Sequence, residues 1–196
     1  MRFVIPDLDD PMAHPKSVRR AVAQRRDAVF QEWRAHCDAL RPTLSPDLVW
    51  LLEFSLDDAL PRFLKIDQVN KTLTLGLLVG DLQRGYFETS LHYQGITLSP
   101  METQILCLLV SDDNNEVAWG ELDRAPSGTF THCLRWRTRV ETGRVPDVVT
   151  YFLDVDTIVR FTDFSLELKP REDRTLRPHK ERIRIAPDPN FIEGLC

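Results

Sequence analysis

Three residues near the middle of the chain carry side chains suited to metal binding or acid–base chemistry. Glu121 and Asp123 stand two positions apart at the end of one predicted strand, and His132 lies early in the next. Two carboxylates and an imidazole can hold a divalent metal ion or act as general acid and base. If the two strands pair, the three side chains approach one another. Glu121, Asp123 and His132 therefore form a candidate metal or catalytic site.

The pattern around these residues weighs against that hypothesis. Glu121 and Asp123 fall in register with the apolar residues Val117 and Trp119, so they are expected to point inward or to lie beyond the end of the strand. A single histidine on an apolar face is more often a hydrogen-bonded core residue than a ligand. The face that carries His132 is otherwise apolar and holds Phe130, Leu134 and Trp136. No catalytic residue is assigned on this evidence.

A row of arginines is the second candidate. Arg135, Arg137 and Arg139 alternate along one face of a predicted strand over residues 129–141. Arginine forms paired hydrogen bonds with phosphates and carboxylates, so the row suits a nucleic acid, another ligand or acids on a neighbouring strand. Glu88 and Glu167 lie on polar faces of other predicted strands and are natural cross-strand partners. We take the row as a candidate binding surface, with internal pairing as the favoured alternative.

Established catalytic motifs are absent from the sequence. The glycines form neither of the common phosphate-binding loop patterns, and there is no G-x-S-x-G or H-E-x-x-H motif. The polar run 112–115 lacks the central glycine and late glutamate of a calcium-binding loop, and it predicts a turn instead. We therefore predict no cofactor.

The elements that must position these residues are mainly strands. The clearest are 71–79 and 86–93, where apolar and polar residues alternate on either side of a loop with a glycine at each end. With a preceding strand at 63–67 they predict a three-stranded antiparallel meander. Its polar face is chemically quiet, which is typical of scaffold. Further strands are predicted at 116–123, 129–141, 148–155 and 158–168.

Helices are predicted mostly before the strands. One spans 18–40 with Ser17 as its N-cap, and a second spans 48–54 after Ser45 and a proline. Residues 101–110 favour a short helix, with a buried strand as the alternative. Segregated helices and strands indicate an α+β fold. We expect two N-terminal helices packed on a mainly antiparallel β-sheet of about six to eight strands, which can curl into a half-barrel or sandwich.

Three regions of the chain are distinguished by composition. Residues 1–16 contain three prolines and three aspartates and predict an extended N-terminal arm. Residues 17–168 carry all the predicted helices and strands of a single α+β domain. Residues 169–196 are charged and contain prolines, which predicts a C-terminal tail. Within that tail, the alternating run 181–185 has the pattern of an added edge strand.

Bulk composition narrows the classes of function. The chain has 196 residues, 42% hydrophobic and 28% charged, which is typical of a folded globular protein. A net charge of −5 disfavours a generic nucleic-acid binder, because such proteins are usually basic. No signal peptide is evident, and no apolar run approaches the ~20 residues that cross a bilayer. A cytoplasmic protein with free cysteine thiols and no membrane partner is expected.

These observations favour a non-catalytic protein-binding module of the adaptor, inhibitor or immunity type. It is expected to act through a sheet face and its charged termini, with another protein as its partner. Two alternatives stay open: a metal-dependent or acid–base enzyme, and a nucleic-acid binder. The first would use Glu121, Asp123 and His132, and the second would use the face with Arg135, Arg137 and Arg139.

Overall fold

The computed structural model describes residues 3, 14–54, 56–81, 85–112, 114–142 and 149–170. Within them lie three α-helices and seven β-strands, and a short 3-10 turn at Arg41–Thr43 joins the first two helices. The helices are α1 (Lys16–Leu40), α2 (Pro46–Glu53) and α3 (Pro100–Ser111). The strands are β1 (Leu60–Asp67), β2 (Thr72–Asp81), β3 (Gly85–Gln94), β4 (Asn115–Arg124), β5 (Phe130–Thr142), β6 (Val149–Phe161) and β7 (Asp163–Pro170). The predicted α+β class is confirmed.

The strands form two antiparallel sheets rather than one. The four-stranded sheet has the order β1-β2-β3-β7, and the three-stranded sheet has the order β4-β5-β6. The predicted meander is confirmed as β1, β2 and β3, with Leu75 opposite Leu91 in its centre. The two sheets share one apolar core, in which Tyr93 of β3 meets Phe161 of β6 edge to face. A mainly antiparallel sheet was the right expectation, and its division into two was not foreseen.

The chain passes from one sheet to the other at Thr162. Residues 149–170 read as one long apolar-rich run, and the sequence placed its interruption near residue 156. That position was wrong, because β6 runs unbroken to Phe161 and β7 begins at Asp163. At the bend, the Thr162 backbone N–H donates to the Gln94 carbonyl at 2.9 Å, which fixes the crossing against the end of β3.

The helices begin where local chemistry satisfies their free N–H groups, with one exception. Ser45 caps α2 by accepting from Leu48, and Ser99 and Glu102 form a reciprocal capping box at α3. The prediction that Ser17 caps α1 was wrong, since the helix begins at Lys16 after Pro15 and has no side-chain cap. Residues 101–110, for which a buried strand was the alternative, are helical in the structure. This third helix lies between β3 and β4, outside the predicted N-terminal pair.

The predicted ends of the chain fall largely outside the described residues. Of the predicted arm 1–16, the structure describes Phe3 and the residues from His14 onward. The tail is described only at 169 and 170, so the predicted edge strand at 181–185 is not among the described residues. None of the described helices is both long and apolar enough to span a membrane.

Candidate interaction surface

Glu121 and Asp123 do not meet His132, because the acids and the imidazole lie on opposite faces of the three-stranded sheet. The strands pair as predicted, with Leu122 directly opposite His132. Directly opposed residues share a face and adjacent residues alternate, so the acids on either side of Leu122 point away from the histidine. Sequence spacing placed the three near one another along the strands but on different sides.

A β-bulge explains why the register of the two acids was mispredicted. The β4–β5 register shifts between Val117 and Trp119, which makes Ala118 an extra residue in β4. Val117 therefore faces the shared core, whereas Trp119 turns outward to the side covered by α1 and packs against Trp33 of that helix at 5.3 Å between ring centroids. Glu121 follows Trp119 onto the helix side. The expected common register of Glu121 with Val117 is thus corrected.

Each member of the predicted triad has a separate local role. The buried Glu121 accepts a hydrogen bond from the Phe3 backbone N–H at 3.0 Å, which ties the start of the chain to β4. The exposed Asp123 lies 3.9 Å from Nε2 of His36 on α1. Among the described residues, no group of three histidine, cysteine, aspartate or glutamate side chains is arranged to hold a metal ion.

His132 is a core residue whose imidazole lies beside a tyrosine hydroxyl on another strand. Its Nδ1 lies 2.7 Å from the Tyr93 hydroxyl oxygen, and both side chains are almost completely buried between the sheets. Burial lowers the pKa of His132 to about 3, because the charged imidazolium would lose its hydration, and it raises the pKa of Tyr93. Both groups are therefore neutral near pH 7, which suits a structural hydrogen bond across the core.

The described arginines of the predicted row are paired within the sheet. Arg135 donates to both carboxylate oxygens of Asp156 on β6, at 2.8 and 3.0 Å. Arg137 lies 3.5 Å from Asp154 on the same strand. The hydrogen bonds from Arg135 lower the pKa of Asp156, and the same contact raises the pKa of Arg135. The side chain of Arg139 is outside the described part of the chain.

Internal pairing was the favoured interpretation of the arginine row, but the suggested partners differ from those in the structure. Glu88 and Glu167 belong to the four-stranded sheet, where Glu88 is opposite Lys169 and Glu167 lies 3.5 Å from it. Strand neighbours within each sheet decide such pairs, and the division into two sheets separates these glutamates from the arginines. The neighbouring strand β6 supplies the acids instead.

The most exposed apolar part of the three-stranded sheet is a ribbon formed by β5 and β6. Both strands are 13 residues long, whereas β4 has 10, and β4 pairs no further than Thr138. Beyond Thr138, β5 and β6 continue as a pair from Arg139 opposite Phe152 to Thr142 opposite Val149. At the base of this two-stranded segment, Phe152 is 58% exposed and Leu153 is 52% exposed. We call residues 138–142 and 149–153 the ribbon.

The outer edge of β6 differs from the other sheet edges that can be followed. On β4, the Val117 N–H donates to the Ala59 carbonyl, and Nε2 of His36 hydrogen-bonds the Leu122 carbonyl. On β7, the Leu166 N–H donates to Asp47 of α2 at 3.2 Å. The described backbone contact on the outer edge of β6 is at Arg160, whose carbonyl accepts from Thr97. Within the described part of the chain, no backbone hydrogen bond reaches this edge at residues 152–154, where Phe152 and Leu153 are exposed.

Sequence reasoning missed Phe152 and Leu153 as surface residues. The run 148–155 was assigned to a strand because it is rich in valine, tyrosine and phenylalanine, and no exposure was predicted for any of its residues. Strand length could have indicated this exposure, because the predicted 129–141 strand is longer than the 116–123 strand beside it. A longer strand must project past its neighbour, and its apolar residues there have no third strand to pack on.

Comparison of the chain with protein-family models, with curated proteins and with solved structures found no match in any of the three. The candidate surface therefore rests on the geometry of this chain alone.

Proposed function

We propose that the protein is a non-catalytic module that binds another protein through the ribbon and the adjoining outer edge of β6. The observation that supports this best is the pair Phe152 and Leu153, more than half exposed on a strand whose outer edge beside them is not covered by any described element. Open edges with exposed apolar residues readily pair with other chains, and most proteins cover or charge them. An edge left in this state is suited to a partner.

The other two functions receive less support from the geometry. A metal or acid–base site would need Glu121, Asp123 and His132 together, and they lie on opposite faces of the sheet. A phosphate-binding face would need unpaired arginines, and Arg135 and Arg137 lie against Asp156 and Asp154. Pairing of this kind neutralises much of the attraction for a polyanion. The binding module therefore remains the function we advance.

Site-specific photo-crosslinking tests this proposal. A photoreactive phenylalanine analogue at position 153 should crosslink to a distinct protein in an extract of the source organism, which mass spectrometry then identifies. The matched control places the analogue at position 168, where Leu168 is an exposed apolar residue on β7 of the other sheet. The identified protein, once purified, should bind the unmodified chain and bind the Leu153→Lys variant at least ~10-fold more weakly, a loss of about 1.4 kcal/mol.

Equal crosslinking from positions 153 and 168, or unchanged affinity of the Leu153→Lys variant, would contradict the proposal. Leu153 is half exposed, so its replacement by lysine should leave the fold intact. A thermal melt of the variant within a few degrees of the parent chain checks that point.

A further inference from the structure

The first three turns of α1 carry a cluster of positive charge that contains no acid. Residues 16–26 include five cations, although the whole chain has a net charge of −5. The first acid of the helix is Asp27. None of the residues from 16 to 28 is buried. The segment 16–26 is thus a strongly basic stretch of helix on the surface of the protein.

The exposed cations of this segment are not neutralised by described acids. Lys16, Arg20 and Arg25 are exposed, and within the described part of the chain their side chains take part in no hydrogen bond or ion pair. By contrast, Arg135 and Arg160 each lie against a carboxylate, at 2.8 and 3.0 Å. The charge of the three α1 cations can therefore attract an anion from solution.

One side of this segment consists of small or uncharged residues. A helix turns by about 100° per residue, so each side repeats every three or four positions. The side turned towards the protein carries three half-buried residues: Arg19, Val22 and Arg26. The opposite side carries three exposed residues: Ser17, Ala21 and Gln24. We call these three exposed residues the strip.

The cations lie on both flanks of the strip. Lys16 and Arg20 are one turn apart on one flank, and Arg25 lies on the other, about 140° from Arg20 around the helix. Because their side chains are long, these residues can reach anions on either side of the helix at once. A slender exposed side between two basic flanks suits a groove whose walls carry phosphates.

The major groove of double-stranded DNA fits this arrangement better than other anionic surfaces. In B-form DNA the groove is about 12 Å wide, admits an α-helix and has phosphates along both walls. The corresponding groove of double-stranded RNA is too narrow for side chains to enter. A membrane surface would require an apolar side to enter the lipid, whereas the strip holds serine, alanine and glutamine.

We infer that residues 16–26 of α1 bind double-stranded DNA, with the strip in the major groove and the flanking cations on its phosphates. Lys16 and Arg20 would contact one phosphate strand, and Arg25 would contact the other. This function is separate from the protein binding proposed for the ribbon, which belongs to β5 and β6. Phosphate contacts carry no sequence information, so the affinity should depend strongly on salt.

DNA binding by the full chain tests this inference. The probe is a fluorescent duplex of about 20 base pairs, measured by anisotropy from about 20 to 200 mM salt. For three phosphate contacts, the logarithm of the association constant should fall with the logarithm of salt concentration with a slope of about −2.7. Arg20→Gln and Arg25→Gln should each reduce the magnitude of that slope by about 0.9, because each removes one phosphate contact.

A matched control separates this segment from a general effect of charge. Arg34→Gln makes the same charge change at an exposed position on α1, about 13 Å beyond Arg25, and should leave the slope unchanged. No binding at the lowest salt, or equal changes of slope in all three variants, would overturn the inference.

A bulky side chain in the strip tests insertion into the groove. Ala21→Trp should weaken DNA binding at least ~10-fold, because the indole would hold the helix away from the floor of the groove. Ala35→Trp places the same side chain on the same side of α1 beyond the basic segment, and should leave the affinity within about twofold. Both alanines are exposed, so each variant should melt within a few degrees of the parent chain. Unchanged affinity of Ala21→Trp would overturn groove insertion.

Other polyanions identify the partner. A duplex RNA of the same length should bind at least ~10-fold more weakly than DNA, because its major groove excludes the helix. Equal affinity for duplex RNA or for heparin would show general binding of polyanions and would overturn the inference. Binding to phosphatidylserine vesicles without binding to DNA would make a membrane surface the partner and would overturn the inference too.

Discussion

The outer edges of β6 and β7 are two consecutive stretches of one chain with opposite protection. On β7, the Leu166 N–H is capped by Asp47, and the Phe164 N–H is capped by Asp163 at 2.8 Å. On β6, Phe152 and Leu153 are exposed, and the described backbone cap lies only at Arg160. The two strands meet at Thr162, so the difference arises within one continuous stretch of chain.

The position of α2 accounts for it. This helix packs against β7 and β4, and its first turn places Asp47 at the β7 edge. A carboxylate that accepts a backbone N–H blocks strand addition at that point and stabilises the edge. The ribbon projects beyond β4 and has no corresponding helix among the described elements. Among the described residues, helices and the Ala59 bridge supply the edge protection of β4 and β7.

The largest effect is expected from removing the side chain of Trp136, which lies on β5 two residues before the ribbon. Trp136 is fully buried, and its indole N–H donates to Thr157 of β6 at 2.8 Å. Trp136→Ala should lower the free energy of unfolding by about 3–5 kcal/mol, because it leaves a cavity and an unpaired hydroxyl. Urea unfolding measures the loss. Trp136→Phe retains most of the side-chain volume and should lower the free energy of unfolding by less than half as much. Equal losses for the two variants would mean that Trp136 is not packed as described.

His132 is buried between the two sheets. An acid titration therefore tests whether the two sheets unfold together as one cooperative unit. Its pKa is about 3 in the folded protein, so the unfolded state, with a pKa near 6.5, takes up the proton first. Stability from this group is complete above pH 6.5 and falls as pH drops towards 3. At pH 5 the loss should be about 2 kcal/mol.

Chemical denaturation at pH 8 and pH 5 measures that loss. The control is the double variant Tyr93→Phe, His132→Leu, which replaces both hydrogen-bonding partners and removes the titrating group. Its stability should change less between the two pH values, by about the 2 kcal/mol that His132 contributes. The same pH slope in both proteins would show that the imidazole is not shielded in the core.

Removing the β7 cap should make that edge resemble the β6 edge. Asp47→Ala removes the acceptor of the Leu166 N–H and a favourable acid in the first turn of α2. A loss of about 1–2 kcal/mol is expected. Hydrogen exchange of the Leu166 amide should become faster, whereas the amide of Leu91 within the sheet should respond only to the global loss. Asp47→Asn keeps an oxygen acceptor and should show a smaller change; protection of Leu166 that survives in Asp47→Ala would refute the cap.

The smallest effects should come from the ion pairs along β6. These pairs are expected to weaken along the strand from Arg135–Asp156 towards the ribbon. The Arg135–Asp156 pair has two hydrogen bonds and side chains 19% and 31% exposed, whereas the Arg137–Asp154 side chains are 38% and 41% exposed. Double-mutant cycles with alanine should give a coupling of about 0.5–1 kcal/mol for the first pair and less for the second. A larger coupling energy for the Arg137–Asp154 pair than for the Arg135–Asp156 pair would contradict this expectation.

Much of the secondary structure was predictable because its causes are local. The alternation in 71–93 specifies a hairpin wherever one face is buried, and the serine–proline starts at Ser45 and Ser99 satisfy helix N–H groups within the same turn. The start of α1 was mispredicted for a related reason. That helix begins at Lys16 directly after Pro15, and no side chain caps it, so Ser17 has no capping role.

The candidate sites depended on contacts that no local pattern encodes. The bulge at Ala118 changes the face of every later residue of β4, and it is visible only against the register of β5. The sequence also showed a histidine on an apolar face but not that Tyr93, 39 residues earlier, would be its hydrogen-bonding partner. The acids and the histidine were close in sequence position and separate in space for these reasons.

By itself, the sequence determined the kinds of elements, the antiparallel meander and the α+β class, since alternation, capping and segregation of helices from strands act over a few residues. Only the tertiary structure decided that the strands divide into two sheets at Thr162, that Asp154 and Asp156 pair with the arginines, and that no described element covers the edge of β6 beside Phe152. Those outcomes depend on which strands and helices become neighbours, and that is settled by burying one shared core.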